Sequence, residues 1–289
     1  MLRYLRNREI DKKKWDECIN SSINGLVYVQ SWYLDIVVPQ WDALIENDYE
    51  TLMPLPVKQK YGIPYLIQPK LVQQLGIFSA NTISEELVAN FLKQIPRKFI
   101  WREFNLNSWN PSSHQGISVR DNYELPLKNN YTEIYSGYHE NTRRNLKKAL
   151  QSSIQVREED EINSFISAYS LHGKVKEDVV LKQLVRIMNY AMSVCCGEIV
   201  IATGLHGEIL AGAFFLKAVG RIIYLASFNT DEGQKGSAMF PVIDAVIKKN
   251  SQQPLILDFE GSMIPGIARF FAGFGATKVS YPRYLRKFF

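Results

Sequence analysis

Between Glu208 and Gly275 two apolar, β-forming segments, a polar loop, a helix-forming segment and a third apolar segment follow one another, and that order leaves few folds open. Ile209 to Lys217 and Arg221 to Phe228 are rich in β-branched and aromatic residues, and the Ala218-Val219-Gly220 joint between them is short enough for a hairpin. Asn229 to Gly236 reads as a polar loop, with Ser237 placed to N-cap a helix over Ala238 to Lys249. Pro241 fits there because the first helical amides have no intrahelical partner to lose. Ile256 to Phe259 returns as a buried strand and leads at once into Glu260-Gly261-Ser262. A loop rich in Gly and Lys that enters a helix N-terminus is a ready anion seat. Gln234, Lys235, Gly236, Ser237 and Ala238 make up that stretch.

Length sets the scale of what surrounds this segment: 289 residues hold about two domains. The net charge of +5 (34 basic against 29 acidic residues) permits an anionic ligand but falls short of the basic stripe of a dedicated nucleic-acid binder. The longest apolar run, Ile209 to Leu216, is too short to span a bilayer, and the basic N-terminus lacks the apolar run of a signal peptide. Three cysteines, two of them adjacent at Cys195-Cys196, supply neither a disulfide framework nor a CxxC metal pair. A cytoplasmic setting is expected. The four histidines (His114, His139, His172, His206) show no metal-ligand spacing, so no metal is expected.

In the first half, Asp11 is placed to cap a helix from Ile10 to Asn20 with Trp15, Cys18 and Ile19 on one face. Strands follow over 41–46, 51–60 and 65–68, then a helix behind Ser84 that ends before Pro96, then a strand from Phe99 to Phe104. Strands, loop, helix and strand recur in the second half at an offset of about 155 to 160 residues, as faint internal repetition of a βββαβ unit. The lobes are drawn at 1–135 and 136–289.

Where the lobes join, Tyr135 to Ser152 forms an amphipathic helix. Arg143, Arg144, Lys147 and Lys148 fall within one arc, with Leu146, Ala149 and Leu150 on the other side. The arc is either a solvated basic face or a seat for phosphate oxygens, which Arg forks and Lys point charges both suit. His139 lies just before it.

Four pieces carry a resemblance: the helix NTRRNLKKA, the hairpin GEILAGAFFLKAVGRIIYLASF, the strand LILDFEGS and the turn GIARFFAGFGA. Together they resemble the Fem-type aminoacyl transferases and their relatives among the tandem GNAT acyltransferases. VYVQSWYL and PLPVKQKYGIPYLIQP resemble the same family's first lobe. The resemblance implies an α/β (α+β) fold of two GNAT-like lobes, each a mixed β-sheet flanked by helices. It implies transfer of an acyl or aminoacyl group to an amine, with acyl-CoA or aminoacyl-tRNA as donor. Three features depart from the pattern: the Gln234–Ala238 loop is one residue short of the GNAT pyrophosphate loop, Phe271 stands where the peptidoglycan-building branch has Lys, and the long helical arm of some Fem proteins is missing.

The resemblance also distributes roles. Tyr224, Leu225, Ala226 and Ser227 would form the wall facing the acyl donor, and Gln234 to Ala238 its phosphate seat. Tyr224 would be the acid for the leaving group. Strand alternation puts Asp258 and Glu260 on one face, suiting a general base with a supporting carboxylate, or else a structural ion pair near Arg269. The reading is therefore an acyltransferase moving an acyl group from acyl-CoA to a small-molecule or precursor amine. The alternatives are a Fem-type transferase using aminoacyl-tRNA on a cell-wall precursor, and a non-catalytic protein binding an anion or nucleotide-sugar.

Overall fold

The computed structural model describes residues 1–113 and 115–288; His114 and Phe289, on which two of the expectations touched, lie outside the described residues. The chain divides into two compact units, Met1–Arg120 with Ser280–Phe289, and Asp121–Val279. The division falls at Arg120/Asp121 and Val279/Ser280 rather than at the sequence-drawn 135/136, and β8 (Ile117–Pro126) and β14 (Thr277–Lys287) include those positions.

The first unit opens with β1 (Leu2–Leu5), α1 (Lys12–Ser21) and α2 (Ser31–Val37). Asp11 caps α1, its Oδ1 accepting from the Lys13 and Lys14 amides at 3.1 and 3.2 Å. Trp15, Cys18 and Ile19 are its buried stripe, and Trp15 packs on Trp41 with ring centroids 4.7 Å apart. β2 (Asp42–Glu46) and β3 (Thr51–Leu55) pair antiparallel, and β3 breaks at Pro56 before β4 (Val57–Lys60). The break divides the strand expected over 51–60 between two sheets. β1, β2, β3 and β6 (Phe78–Ser79) form one; β4, β5 (Ile63–Ile67) and β7 (Trp101–Asn105) are ordered with β14 in the other. Proline supplies no amide to a ladder, so it fits where a strand changes sheets. α3 (Glu85–Gln94) starts at Ser84, whose Oγ accepts from the Leu87 amide at 3.2 Å. Its C-terminus meets the buried Arg102, whose guanidinium donates to the Ile95 and Phe99 carbonyls at 3.0 Å each, satisfying groups that would otherwise be orphaned.

The second unit holds α4 (Tyr131–Ser136), α5 (Glu140–Gln151), β9 (Gln155–Glu159), α6 (Ile162–His172), α7 (Asp178–Ser193), β10 (Gly197–Thr203), β11 (Ile209–Ala218) and β12 (Arg221–Asn229). α8 (Asp231–Gly236), α9 (Met239–Asn250), β13 (Ile256–Asp258) and α10 (Pro265–Ala272) complete it. Its strands lie in the order β8-β13-β12-β11-β10-β9, antiparallel throughout except for the parallel pair β12/β13. The hairpin joint is as expected, with Val219 and Gly220 both at positive φ (49° and 72°). β11 is apolar along almost its whole length because both faces are covered. On one face α9 contributes Val242, Ile243 and Val246 to the core, α10 contributes Phe271, and the turn after α10 contributes Phe274. On the other, α6 sets Phe165 against Phe228 of β12 at 5.3 Å between centroids. Among the described residues no helix is long and apolar enough to cross a membrane.

The stretch 229–236 corrects an expectation. Thr230, not Ser237, is the capping residue: its Oγ1 accepts from the Gly233 amide at 2.9 Å, and Asp231–Gly236 is helical. Ser237 ends that helix in the left-handed conformation (φ 64°), and α9 starts immediately after it. A Ser/Thr cap followed by Asp and Glu in the first turn is the stronger start signal, and it stood at Thr230-Asp231-Glu232.

Candidate active site

β12 and β13 run side by side for only three residues, Arg221–Ile223 opposite Ile256–Asp258. β13 then ends, the Phe259 amide turning to the Tyr123 carbonyl at 3.0 Å, while β12 continues to Asn229. On its other side β12 carries a bulge: Phe214 faces Ala226 and Phe215 faces Tyr224, which leaves Leu225 as the extra residue. The sheet therefore opens along one edge of Tyr224–Ser227, the stretch the sequence marked as the donor wall.

Tyr224 faces the α9/α10 core, with Phe271 and Phe259 at 6.1 and 6.3 Å and Phe215 at 5.6 Å. The bulge puts Ser227 within hydrogen-bonding reach of its hydroxyl. Burial raises the phenol well above its ordinary value and Ser227 pulls the other way, so Tyr224 stays protonated. Leu225 and Ala226 are buried.

Leu257 and Phe259 belong to the α9/α10 core, so Asp258 between them lies on the opposite face of the strand, and Glu260 and Gly261 follow at φ 56° and 57°. Asp258 is wholly buried. Its Oδ1 accepts from Asn122 Nδ2 at 3.0 Å and from the Glu260 amide at 2.9 Å; its Oδ2 accepts from Arg221 at 3.2 Å. Arg221 also reaches Glu124 Oε1 at 2.8 Å. Burial pushes the Asp258 carboxyl up to about 6, with Arg221 opposing the shift and Glu124 adding to it. The ion-pair partner of this enclosed carboxylate is Arg221, not Arg269. The Glu260 side chain is half-buried, and its charge adds to the burial that raises the Tyr169 phenol on α6, with the Val175 backbone opposing. The opening between β12 and β13 thus has Tyr224 on the α9/α10 side and Glu260 on the α6 side.

The expected phosphate seat is built differently. Gln234, Lys235 and Gly236 lie in α8, and the amides of Ser237 and Ala238 already donate to Gln234 and Gly233 carbonyls at 3.2 and 2.8 Å. Asp231 and Glu232 occupy the first turn of that helix, where a phosphate would meet like charge. The junction instead ties to α5: Ser237 Oγ donates to Asn145 Oδ1 at 2.8 Å. That bond joins two stretches the sequence had singled out separately.

On α5, Arg143, Arg144, Lys147 and Lys148 are all exposed, and Thr142, Leu146 and Ala149 face inward. Leu150 corrects the sequence reading: it is 77% exposed and stands with the basic arc. His139 is the N-cap residue of α5 and lines a cavity of about 530 Å³ with Asn141, Thr142, Phe240, Arg269 and Phe270. Sequence reasoning missed this cavity and the Asn122–Glu124–Arg221 network. β8, which supplies Asn122 and Glu124, had not been read as a strand, although YELPL shows the alternation of one. Among the described residues no group of three or more His, Cys, Asp or Glu is gathered as a metal site would require.

No family model matches the chain, and no curated protein matches it. Solved structures do. FemX is similar over 94% of this chain and 96% of its own, at 12% identity and a TM-score of 0.69. A conserved protein of unknown function from Bacteroides thetaiotaomicron is similar over 96% and 97%, at 11% identity and a TM-score of 0.58. At such identities the likeness is one of architecture: the chain has the fold of FemX, in keeping with the resemblance of its motifs to Fem-type proteins.

Proposed function

We propose that the second unit transfers an acyl group to an amine, with an aminoacyl ester carried on RNA as the donor. The observation that carries the reading is the parting of β12 from β13 beyond Ile223 and Asp258. Strand groups released from a ladder are fixed dipoles that can hold an acyl carbonyl and the oxyanion that forms on it. The amine enters from the Glu260 side, and Glu260 takes its proton as the nitrogen attacks the acyl carbon. The ester C–O bond breaks, and Tyr224, held protonated, returns a proton to the leaving oxygen. The α8–α9 junction favours RNA over CoA: the amides of Ser237 and Ala238 that would cradle a pyrophosphate already donate to α8 carbonyls, while four exposed cations stand on α5. A CoA thioester is the second reading, favoured by Phe271, which puts an apolar ring where the Fem-type turn has a cation.

Two parallel transfer assays test this, one with a pool of tRNA carrying radiolabelled amino acids and one with labelled acetyl-CoA, each with a panel of amine acceptors. The expected result is label passing from the base-labile RNA ester into a base-stable amide, with Arg143→Glu/Arg144→Glu abolishing it. Label passing from acetyl-CoA alone would establish the second reading. No transfer from either donor, together with unchanged RNA affinity in the α5 variant, would sink both.

A further inference from the structure

One face of the first unit's β4-β5-β7-β14 sheet is apolar where it should be polar. β5 reads Ile63-Pro64-Tyr65-Leu66-Ile67, with Leu66 buried on the inner face and Ile63, Tyr65 and Ile67 on the outer. An outer sheet face left to water normally alternates to polar residues. Register extends the outer row: Lys60 stands opposite Ile63, Lys58 opposite Tyr65, Lys287 opposite Trp101 and Leu285 opposite Glu103. Lys60, Tyr61, Ile63, Tyr65, Ile67 and Trp101 line a shallow groove of about 470 Å³. Tyr61, at the tip of the β4–β5 hairpin, is 91% exposed and Ile63 is 50% exposed.

The charge on this face is one-sided. Lys58, Lys60, Arg283 and Lys287 surround the apolar row, and Glu103, which pairs with Arg283, is the acidic residue among them. Lys60 and Lys287 sit over the Tyr61 and Trp101 rings at 5.4 and 4.3 Å, their stems against the apolar surface and their ammonium groups at its rim. Facing copies would set these cations against each other. A peptide adding to the edge strand β4 would meet Lys58, Gln59 and Lys60, the side chains that keep edges unpaired. What fits an apolar aromatic row inside a cationic rim is an anionic bilayer surface, whose acyl boundary takes Tyr, Trp and Ile while its headgroups take Lys. We infer that this face, led by the Tyr61–Ile63 hairpin tip, docks the protein on anionic lipid membranes. The inference is independent of the acyl-transfer reading.

Sedimentation with vesicles tests it. The full chain is expected to pellet with vesicles of equal parts phosphatidylglycerol and phosphatidylcholine at low salt, to remain in solution with phosphatidylcholine alone, and to be released by added salt. Tyr61→Ser/Ile63→Ser leaves the net charge unchanged and should lower the bound fraction about tenfold or more through lost apolar insertion. Lys58→Glu/Lys60→Glu, also exposed, should do the same, and Arg143→Ala/Arg144→Ala on α5 should leave binding as it was. Thermal unfolding of each variant checks that it is folded. Undiminished binding by Tyr61→Ser/Ile63→Ser would overturn the inference, since general charge would then be the cause. So would failure to pellet, or a concentration-dependent dimer that the same pair of substitutions dissolves.

Discussion

The Glu260 amide donates to Asp258 Oδ1 at 2.9 Å, so the residue placed at the opening of the sheet is held by a carboxylate that is itself wholly buried. Burial lifts Asp258 to about 6, above its unfolded value near 3.9. Between about pH 4 and 6 the folded state therefore holds this proton more tightly than the unfolded state. The contribution is fully present below about pH 4 and is lost as pH rises through about 6. Urea unfolding of the native protein and of Asp258→Asn across this range should show the advantage of the native protein shrinking as pH rises, then levelling above about 7. Parallel curves would show that the carboxyl titrates normally.

The turn after Asp258 has no room for a side chain. A Cβ on Gly261 would lie 2.1 Å from the Asp121 carbonyl oxygen and 2.6 Å from Asn122 Cα, at φ 57°. Backbone clash and left-handed strain together should make Gly261→Ala lose about 3 kcal/mol or more. Gly266, with nothing within 4 Å and helical geometry in α10, is the control, and Gly266→Ala should be neutral or gain up to about 1 kcal/mol. Similar midpoints for the two variants would contradict this account of the turn.

Glu260 and Asp258 should separate by what they damage. Under the acyl-transfer reading, Glu260→Gln keeps the backbone bond to Asp258 and should leave the unfolding midpoint within about 0.5 kcal/mol. It should lower kcat about 10²-fold or more, the scale of losing a general base. Asp258→Asn should show its main effect in stability. If Glu260→Gln turns over at the native rate, Glu260 is not the base.

How far the sequence led can be judged residue by residue. The hairpin, α1 and α3 were legible because local signals agreed: Asp11 and Ser84 as caps, apolar residues at helical spacing, and Val219-Gly220 as the turn. Of the candidate site, Tyr224 to Ser227 was legible as part of a strand. Arg221 could not be paired with Asp258 and Glu124 from sequence, since parallel and antiparallel neighbours of a sheet leave no local trace of register. Pro56 marks the point where the chain leaves one sheet for another, which no local signal in the 51–60 stretch distinguishes from a continuous strand.

Ser237 balances a contact against a conformational cost. Its hydroxyl donates to Asn145 on α5, and its backbone sits at φ 64°, a region that glycine enters freely. Ser237→Ala keeps the strain and loses the bond, so it should cost about 1–2 kcal/mol. Ser237→Gly loses the same bond and relieves the strain, so it should cost measurably less. Chemical denaturation of the pair decides it, and a Gly variant less stable than the Ala variant would show that left-handed strain is not significant here.

Phe271 decides whether the site can hold the cation of the Fem-type turn. Its ring stacks on Phe259 at 4.7 Å and meets Tyr224 edge-on at 6.1 Å, and the residue is buried. Phe271→Leu removes ring contacts but stays apolar and should cost about 1–2 kcal/mol. Phe271→Lys would bring an ammonium among Tyr123, Phe259 and Phe270, where the aromatic faces offset only part of its desolvation, and should cost about 3 kcal/mol or more. Urea unfolding at neutral pH measures both. A lysine variant as stable as the native protein would mean that the cation reaches solvent or a counter-charge. If that variant also transferred amino acids from RNA faster, Phe271 would be a loss this chain had sustained at an otherwise Fem-type site. The large cost predicted here means instead that the aromatic packing was built around the ring.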